Sequence, residues 1–267
     1  MYTSFIDDVR EKNPLVHNIT NIVSAHFSAN GLLAIGASPF MSNVEGEMAQ
    51  VAKISSALVI NMGGLSQGEV VAMIDAGQAM NALAKPVVLD PVGIGATPYR
   101  QEKGALLLDK IRFSVIRGNA GEIAHLIGIK WQSKGVDAGS GETADLAKMA
   151  KECAKKFNCI TVLSGQVDYV SNGDVVVAIE NGSSLFPKIT ASGCLQGAIC
   201  GAFIAVAEPS EYFSATVAAC ASYAIAGEQA AQGLQDFEYG QFYVKLIDCL
   251  AKISADEFNQ FAKIIML

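Results

Sequence analysis

Short apolar runs recur along this chain, each ending in glycine, proline or a polar residue and each followed by helical spacing. Ala57–Asn61, Pro86–Asp90 and Phe113–Ile116 are three of them. They are too short for buried helices and read as strands covered on both faces. Between the first two, Ser66-Gln67-Gly68-Glu69 has the form of a capping box and opens a helix to about Leu83. A Pro/Gly loop and a helix from near Glu102 to Lys110 follow the second run, and a helix over Ala120–Ile127 follows the third. Crossovers of this length join parallel strands and lay helices over both faces of the sheet. The expected fold class is therefore α/β, with a mostly parallel central sheet flanked by helices.

The pattern changes after Cys159. Ile160–Leu163 and Val167–Val170 flank a Ser-Gly turn, and Asn172-Gly173-Asp174 reads as a hairpin turn leading into Val175–Ile179. A short antiparallel edge is expected there. Ser254-Ala255-Asp256-Glu257 caps a last amphipathic helix. There is no repeat and no linker, and the polar Gly135–Gly141 loop is too short to divide the chain. Residues 1–267 are therefore expected to form one domain.

Two long uncharged runs, Ile189–Ala207 and Tyr212–Gly227, are built from Ala, Gly, Ser and Cys rather than Leu, Ile and Phe. They read as closely packed buried helices, not membrane spans. A net charge of −7 with no basic cluster argues against nucleic acid or an anionic membrane as partner. The opening Met1–Asp8 lacks the basic and apolar regions of a secretory signal, so a cytoplasmic location is expected. Six cysteines without a C-x-x-C pair and three scattered histidines exclude a recognisable zinc site or disulfide framework.

Polar residues gather where the parallel strands end, which is where such sheets bind ligands. Asn61-Met62-Gly63-Gly64, Asp90-Pro91-Val92-Gly93, Arg117-Gly118-Asn119-Ala120-Gly121-Glu122 and Ser164-Gly165 are the four ends. A fifth element is Ile189-Thr190-Ala191-Ser192-Gly193-Cys194, small residues that open an Ala/Gly-rich helix. Its first N–H groups lack internal partners and form an anion site that small side chains leave open. Each residue also has a plainer reading. Asp90 can start a turn, Glu122 can serve a helix dipole, Arg117 can be a surface cation, and Cys194 can be a small buried hydrophobe. Taken together, two carboxylates and an amide suit Mg²⁺, and a guanidinium suits phosphate. A thiol at a helix N-terminus is expected to have a lowered pKa and could act as base or nucleophile. No His partner for a thiol hydrolase is evident.

These segments resemble the hydroxyethylthiazole kinase family of the ribokinase-like superfamily, along almost the whole chain. The likeness includes Pro14-Leu15-Val16-His17-Asn18-Ile19-Thr20-Asn21 and Gly36-Ala37-Ser38-Pro39-Phe40-Met41. It continues through Asn61–Leu65, Asp90–Gly93 and Arg117–Glu122, and closes on Gly193-Cys194-Leu195. The resemblance implies ATP-dependent phosphorylation of the hydroxyl of 4-methyl-5-(2-hydroxyethyl)thiazole, a salvage step toward thiamine. It implies Mg²⁺, and a homotrimer with the thiazole bound near a subunit interface. Met41 and Ala191 would line the thiazole site with Asn21 nearby, and Arg117, Ser164 and Asn119 would serve ATP. Asp90 and Glu122 would serve the metal, residues 191–194 would form the anion hole, and Cys194 would stand where related kinases carry an aspartate base. The family usually has glycine where this chain has Ala191, so a positive φ there would be strained. A hydroxymethylpyrimidine kinase, an idle nucleotide-binding protein and a cysteine hydrolase are the competing readings.

Overall fold

The computed structural model describes residues 2–131 and 143–267, so the polar loop at 135–141 lies outside the described residues. Nine strands are present among them. They are β1 Leu15–Ile19, β2 Ser38–Met41, β3 Ala57–Asn61, β4 Val87–Asp90, β5 Val115–Asn119, β6 Ile160–Ser164, β7 Asp168–Ser171, β8 Val176–Ile179 and β9 Ile264–Met266. They form a single sheet in the order β2-β1-β3-β4-β5-β6-β7-β8-β9. The six strands from β2 to β6 pair in parallel and the last three pairings are antiparallel.

The helices are α1 Ser4–Lys12, α2 Ile22–Ile35, α3 Met48–Ile54, α4 Gln67–Ala82, α5 Pro98–Lys110 and α6 Ala120–Ile127. They continue as α7 Thr143–Phe157, α8 Ser192–Ile204, α9 Tyr212–Ala231, α10 Tyr239–Lys252 and α11 Ala255–Phe261. Side-chain alternation along the strands separates two cores. Val16, Val59, Val88, Val115 and Val162 point into one, with α1, α2 and α8 to α11. Leu58, Ile60, Leu89, Ile116 and Leu163 point into the other, with α3 to α7. Burial on both faces is why these strands read as unbroken apolar runs.

Local signals are realised in detail. Ser66 Oγ accepts from the Glu69 N–H while Glu69 Oε2 accepts from the Ser66 N–H at 2.8 Å, completing the capping box. Asn172 Oδ1 accepts from the N–H groups of Asp174 and Val175, and Gly173 takes φ +96°, which makes the β7–β8 turn. Both uncharged runs are buried helices, α8 and α9, packed on each other. No helix among the described residues is long and apolar enough to cross a membrane.

Three boundaries depart from expectation. Strand β5 starts at Val115 and continues to Asn119 rather than ending at Ile116, because Arg117, Gly118 and Asn119 pair with Val162, Leu163 and Ser164. Helix α5 begins at Pro98, capped by Thr97 Oγ1, which accepts from the Arg100 N–H. The antiparallel edge gains β9, which follows α11 and pairs with β8. Its entry is fixed by Asn181, whose side chain accepts from the Lys263 N–H and donates to the Phe261 carbonyl.

Helix α8 lies unusually close to the sheet. A Cβ at Gly201 would fall 2.6 Å from Val59 Cγ2, and one at Gly197 would meet Asp90 at 3.8 Å. Glycine at 201 sets the depth at which α8 seats on β3, and so the position of its N-terminus over the strand ends.

Candidate active site

The N-terminus of α8 is a strained, tightly braced turn. Ala191, its N-cap, takes φ 65° and ψ 8°, in the left-handed region that favours glycine. Ser192 Oγ donates to the Phe186 carbonyl at 2.9 Å, and Tyr223 Oη donates to the Ser192 carbonyl at 2.8 Å. The first N–H to enter the helix ladder is that of Leu195, bonded to the Ala191 carbonyl at 2.9 Å. The amides of Ser192, Gly193 and Cys194 therefore precede the ladder, as an anion site requires.

Arg117, from β5, lies against this turn. A Cβ at Gly193 would sit 2.5 Å from Arg117 Nη1, so only glycine leaves room for the guanidinium in this position. Arg117 Nε donates to Gln196 Oε1 at 2.9 Å and Nη2 donates to Ser164 Oγ at 2.6 Å. Burial works against its charge, but Asp90, Glu122 and Asp168 outweigh that and raise its pKa.

Asp90 ends β4 with 1% of its surface exposed. Its Oδ2 accepts from Asn61 Nδ2 at 2.7 Å. Its Oδ1 stands 3.7 Å from Arg117 Nη1, an ion pair too long for a hydrogen bond, and has no hydrogen-bond partner. Burial pushes the carboxyl up to about 7, Arg117 opposes the shift, and Glu122 adds to it. Asn61 also accepts from Asn21 Nδ2 at 3.0 Å, while Asn21 Oδ1 caps α2 through the N–H groups of Val23 and Ser24. Asn21 thus joins the cluster through an intermediary that sequence reasoning had placed only in a strand-end motif.

Cys194 corrects one expectation. Burial and the neighbouring Asp90 push its thiol up to about 11, against the lowering effects of Arg117, Asn61 and Ser24. Desolvation defeats the helix dipole, and the thiol is neutral at pH 7.

Glu122 and Asn119 form a capping box on α6. Asn119 Oδ1 accepts from the Glu122 N–H at 3.0 Å, and Glu122 Oε2 accepts from the Asn119 N–H at 2.8 Å. Glu122 Oε1 accepts from the Gly93 N–H at 2.9 Å, tying the loop after Asp90 to the end of β5. Arg100 braces the same loops by donating to the carbonyls of Met62, Gly63 and Val92. No group of three or more His, Cys, Asp or Glu among the described residues could by itself hold a metal. The donors nevertheless suit Mg²⁺, which keeps most of its waters and needs one or two carboxylates besides phosphate oxygens. Oδ1 of Asp90, which has no hydrogen-bond partner and only the long ion pair to Arg117, is the oxygen that would be offered to it, whereas both oxygens of Glu122 already accept from amides.

The structure thus brings together Asp90, Arg117, Asn119, Glu122, Ser164, Ala191, Ser192, Gly193 and Cys194, with Asn21 joined through Asn61. Met41 stands apart. It ends the edge strand β2, paired with Asn18, with β1 and β3 between it and Asp90. Sequence reasoning missed Gln196 and Asp168. A lone amide in the otherwise apolar run from Leu195 to Ile204 was the available signal for the first.

The family model described as the hydroxyethylthiazole kinase family matches residues 6–256. A hydroxyethylthiazole kinase from Pasteurella multocida is 56% identical over 261 residues, covering 98% of this chain and 97% of the relative. One from Histophilus somni is 54% identical over 264 residues, 99% of each chain. The solved structure of a hydroxyethylthiazole kinase protein from Pyrococcus horikoshii aligns with a TM-score of 0.90 at 38% identity. It covers 100% of this chain and 98% of that one. A pyridoxal kinase from Staphylococcus aureus in complex with ADP shares the fold, with a TM-score of 0.63 at 14% identity over 95% of this chain and 98% of its own. On the family match and the extent of these identities, the chain belongs to the hydroxyethylthiazole kinase family, whose fold is that of the ribokinase-like kinases.

Proposed function

We infer that this chain transfers the γ-phosphoryl group of ATP to the primary hydroxyl of 4-methyl-5-(2-hydroxyethyl)thiazole, a salvage step toward thiamine. The observation that carries the reading is the Arg117 guanidinium held against the bare backbone of Gly193, beside a buried Asp90 oxygen without a hydrogen-bond partner. Cation, free helix amides and carboxylate at one point form a phosphoryl-transfer constellation. The names of the close relatives supply the acceptor.

In this reading the amides of residues 191–194 stabilise charge on the phosphoryl group in flight, and Arg117 and Ser164 hold the ATP phosphates. Asn119, the N-cap of α6, would serve ATP beside them. Asp90 would hold Mg²⁺ directly and Glu122 through water, and the bound ion would supply charge neutralisation at the phosphates. Cys194 orients the acceptor hydroxyl. A neutral thiol is a weak base, and a loose transition state asks little of one, so positioning carries the reaction.

Asn21 and Ala191 would line the thiazole site from one copy, and Met41, which stands apart on the edge strand, would reach it only where a neighbouring copy closes the site. Ile22 and Val23, directly after Asn21, are 95% and 60% exposed, which supports a neighbouring copy closing this side and a homotrimer. The unbroken sheet supports one kinase domain over 1–267, and cytoplasmic chemistry suits buried, unpaired thiols. A panel of thiazole and pyrimidine alcohols with ATP tests the assignment. The thiazole alcohol should be turned over with the highest kcat/KM; preferential turnover of a hydroxymethylpyrimidine would overturn it. Light scattering after gel filtration should give three copies, and a monomer would refute the interface site.

A further inference from the structure

We propose that Asp168 and Gln196 form a polarity-fixing relay that holds Arg117 in its phosphate-binding orientation, making both positioning residues for ATP. The proposal rests on the functional reading above and extends it to two buried side chains behind Arg117.

The relay has one direction. Arg117 Nε can only donate, so the atom facing it at 2.9 Å must be the Gln196 oxygen. The Gln196 amide nitrogen then points the other way and donates to Asp168 Oδ2 at 2.5 Å. Asp168 Oδ1 accepts from the Gly165 N–H at 3.0 Å, so the carboxylate is anchored to the loop after β6. Both side chains are buried, Gln196 with 4% and Asp168 with 8% of its surface exposed. Neither can replace a lost partner with bulk water without rearrangement.

The outer end of the relay matters because of where Arg117 sits. Its Nη2 is held by Ser164 and its Nη1 faces Asp90, while its plane lies against the Gly193 backbone. Without the Gln196 acceptor, the nearest strong attraction left to the guanidinium is Asp90. Arg117 would pivot toward that carboxylate and away from the phosphates. Gln196 and Cys194 belong to one helix, so the first turn of α8 and its guanidinium partner are positioned as a unit.

The relay predicts a pattern that bulk stability does not. Asp168→Asn must set its amide N–H against either the Gln196 N–H or the Gly165 N–H that anchors it, and flipping Gln196 sets two donors together at Arg117 instead. Gln196→Glu sets two carboxylates together. The swap Asp168→Asn/Gln196→Glu restores every bond with the carboxylate and amide exchanged, at unchanged net charge. ATP affinity measured by calorimetry should fall about tenfold in each single variant, the loss of one charge-assisted bond, and return to within about twofold in the swap. KM for ATP should follow the same pattern, with KM for the thiazole alcohol unchanged.

Single variants that bind ATP as the wild type does, or a folded swap no better than its parents, would overturn the relay. If the swap does not fold, Gln196→Met, which keeps the bulk but loses the acceptor, must still show the tenfold loss; native affinity there refutes the proposal. ATP binding does not depend on the acceptor. A wild type that binds ATP but phosphorylates no thiazole alcohol therefore fails the acceptor assignment alone.

Discussion

Replacing Ala191 with glycine should stabilise this protein, although the substitution removes a half-buried methyl group. At φ 65° the alanine Cβ crowds its own backbone, at a cost of about 1–2 kcal/mol relative to a right-handed conformation. The turn cannot relax to avoid this. The Ser192 hydroxyl, the Tyr223 phenol and the Leu195 amide pin the residues on either side. Glycine removes the strain but gains freedom in the unfolded chain, which takes back about 0.4–1 kcal/mol. With the lost methyl contact also set against it, the net gain is up to about 1 kcal/mol, which corresponds to a rise of up to about 4 °C in Tm for a chain of this size. Scanning calorimetry at fixed protein concentration measures it, since oligomers make Tm concentration-dependent. Ala84 is a control outside the site: it also has positive φ, at 53°, and Ala84→Gly should raise Tm by a similar amount with unchanged kinetics. If Ala191→Gly lowers Tm while Ala84→Gly raises it, strain at the anion turn is refuted.

Four further outcomes follow from the same geometry. Gly193→Ala forces a methyl group into the Arg117 guanidinium and should reduce kcat/KM for ATP at least about tenfold with little change in Tm; near-native kinetics would show that Arg117 yields freely. Cys194→Ala should lower kcat only modestly, by less than the about 10²-fold of a working base, and Cys194→Asp should retain or raise it; loss of activity in both folded variants would require an obligatory thiol. Glu122→Gln weakens the bonds to Asn119 and Gly93, so the magnesium titration should shift to higher concentration and the variant should lose about 1 kcal/mol of stability; an unchanged titration removes Glu122 from the metal assignment. Finally, the folded state holds the Cys153 and Cys194 thiols up at about 11, while unfolded thiols ionise near 9. The folded chain therefore keeps protons that the unfolded chain releases, and stability should fall as pH rises from about 9 to about 11. Urea midpoints across that interval test this, and a flat profile would show that these thiols are not desolvated.

Much of the fold could be read because its strands are buried on both sides and bounded by glycine, proline or a capping box. Where polar side chains enter a strand, that reading failed. Arg117-Gly118-Asn119 looks like loop until β6 is known to pair beside it. Strand β9 was invisible for a different reason: three apolar residues become a strand only because Asn181 and β8 receive them. The strand-end motifs pointed to the polar cluster because polar residues follow apolar runs there, although Asn119 and Glu122 also serve as the capping box of α6. The bonds within it could not be located. Asn61 to Asp90, Arg117 to Gln196 and Gln196 to Asp168 join residues far apart in sequence, and only the sheet order makes them neighbours. The Cys194 thiol shows a second limit. A helix N-terminus is visible in sequence, but the depth of burial that outweighs its dipole is not.

The close seat of α8 on β3 divides the molecule into parts that can and cannot be altered independently. A side chain added at Gly201, buried deep in the fold, would lift the helix off Val59 and draw the first turn of α8 away from Arg117 with it. A mutation far from either substrate would then look like an active-site defect. The edge strand β2 is set off from Asp90 by β1 and β3, whereas the start of α2 is tied to it through Asn21 and Asn61. Laboratory selection for new alcohol acceptors should therefore find its tolerated changes around Met41, while α8 stays invariant from its first turn to Gly201.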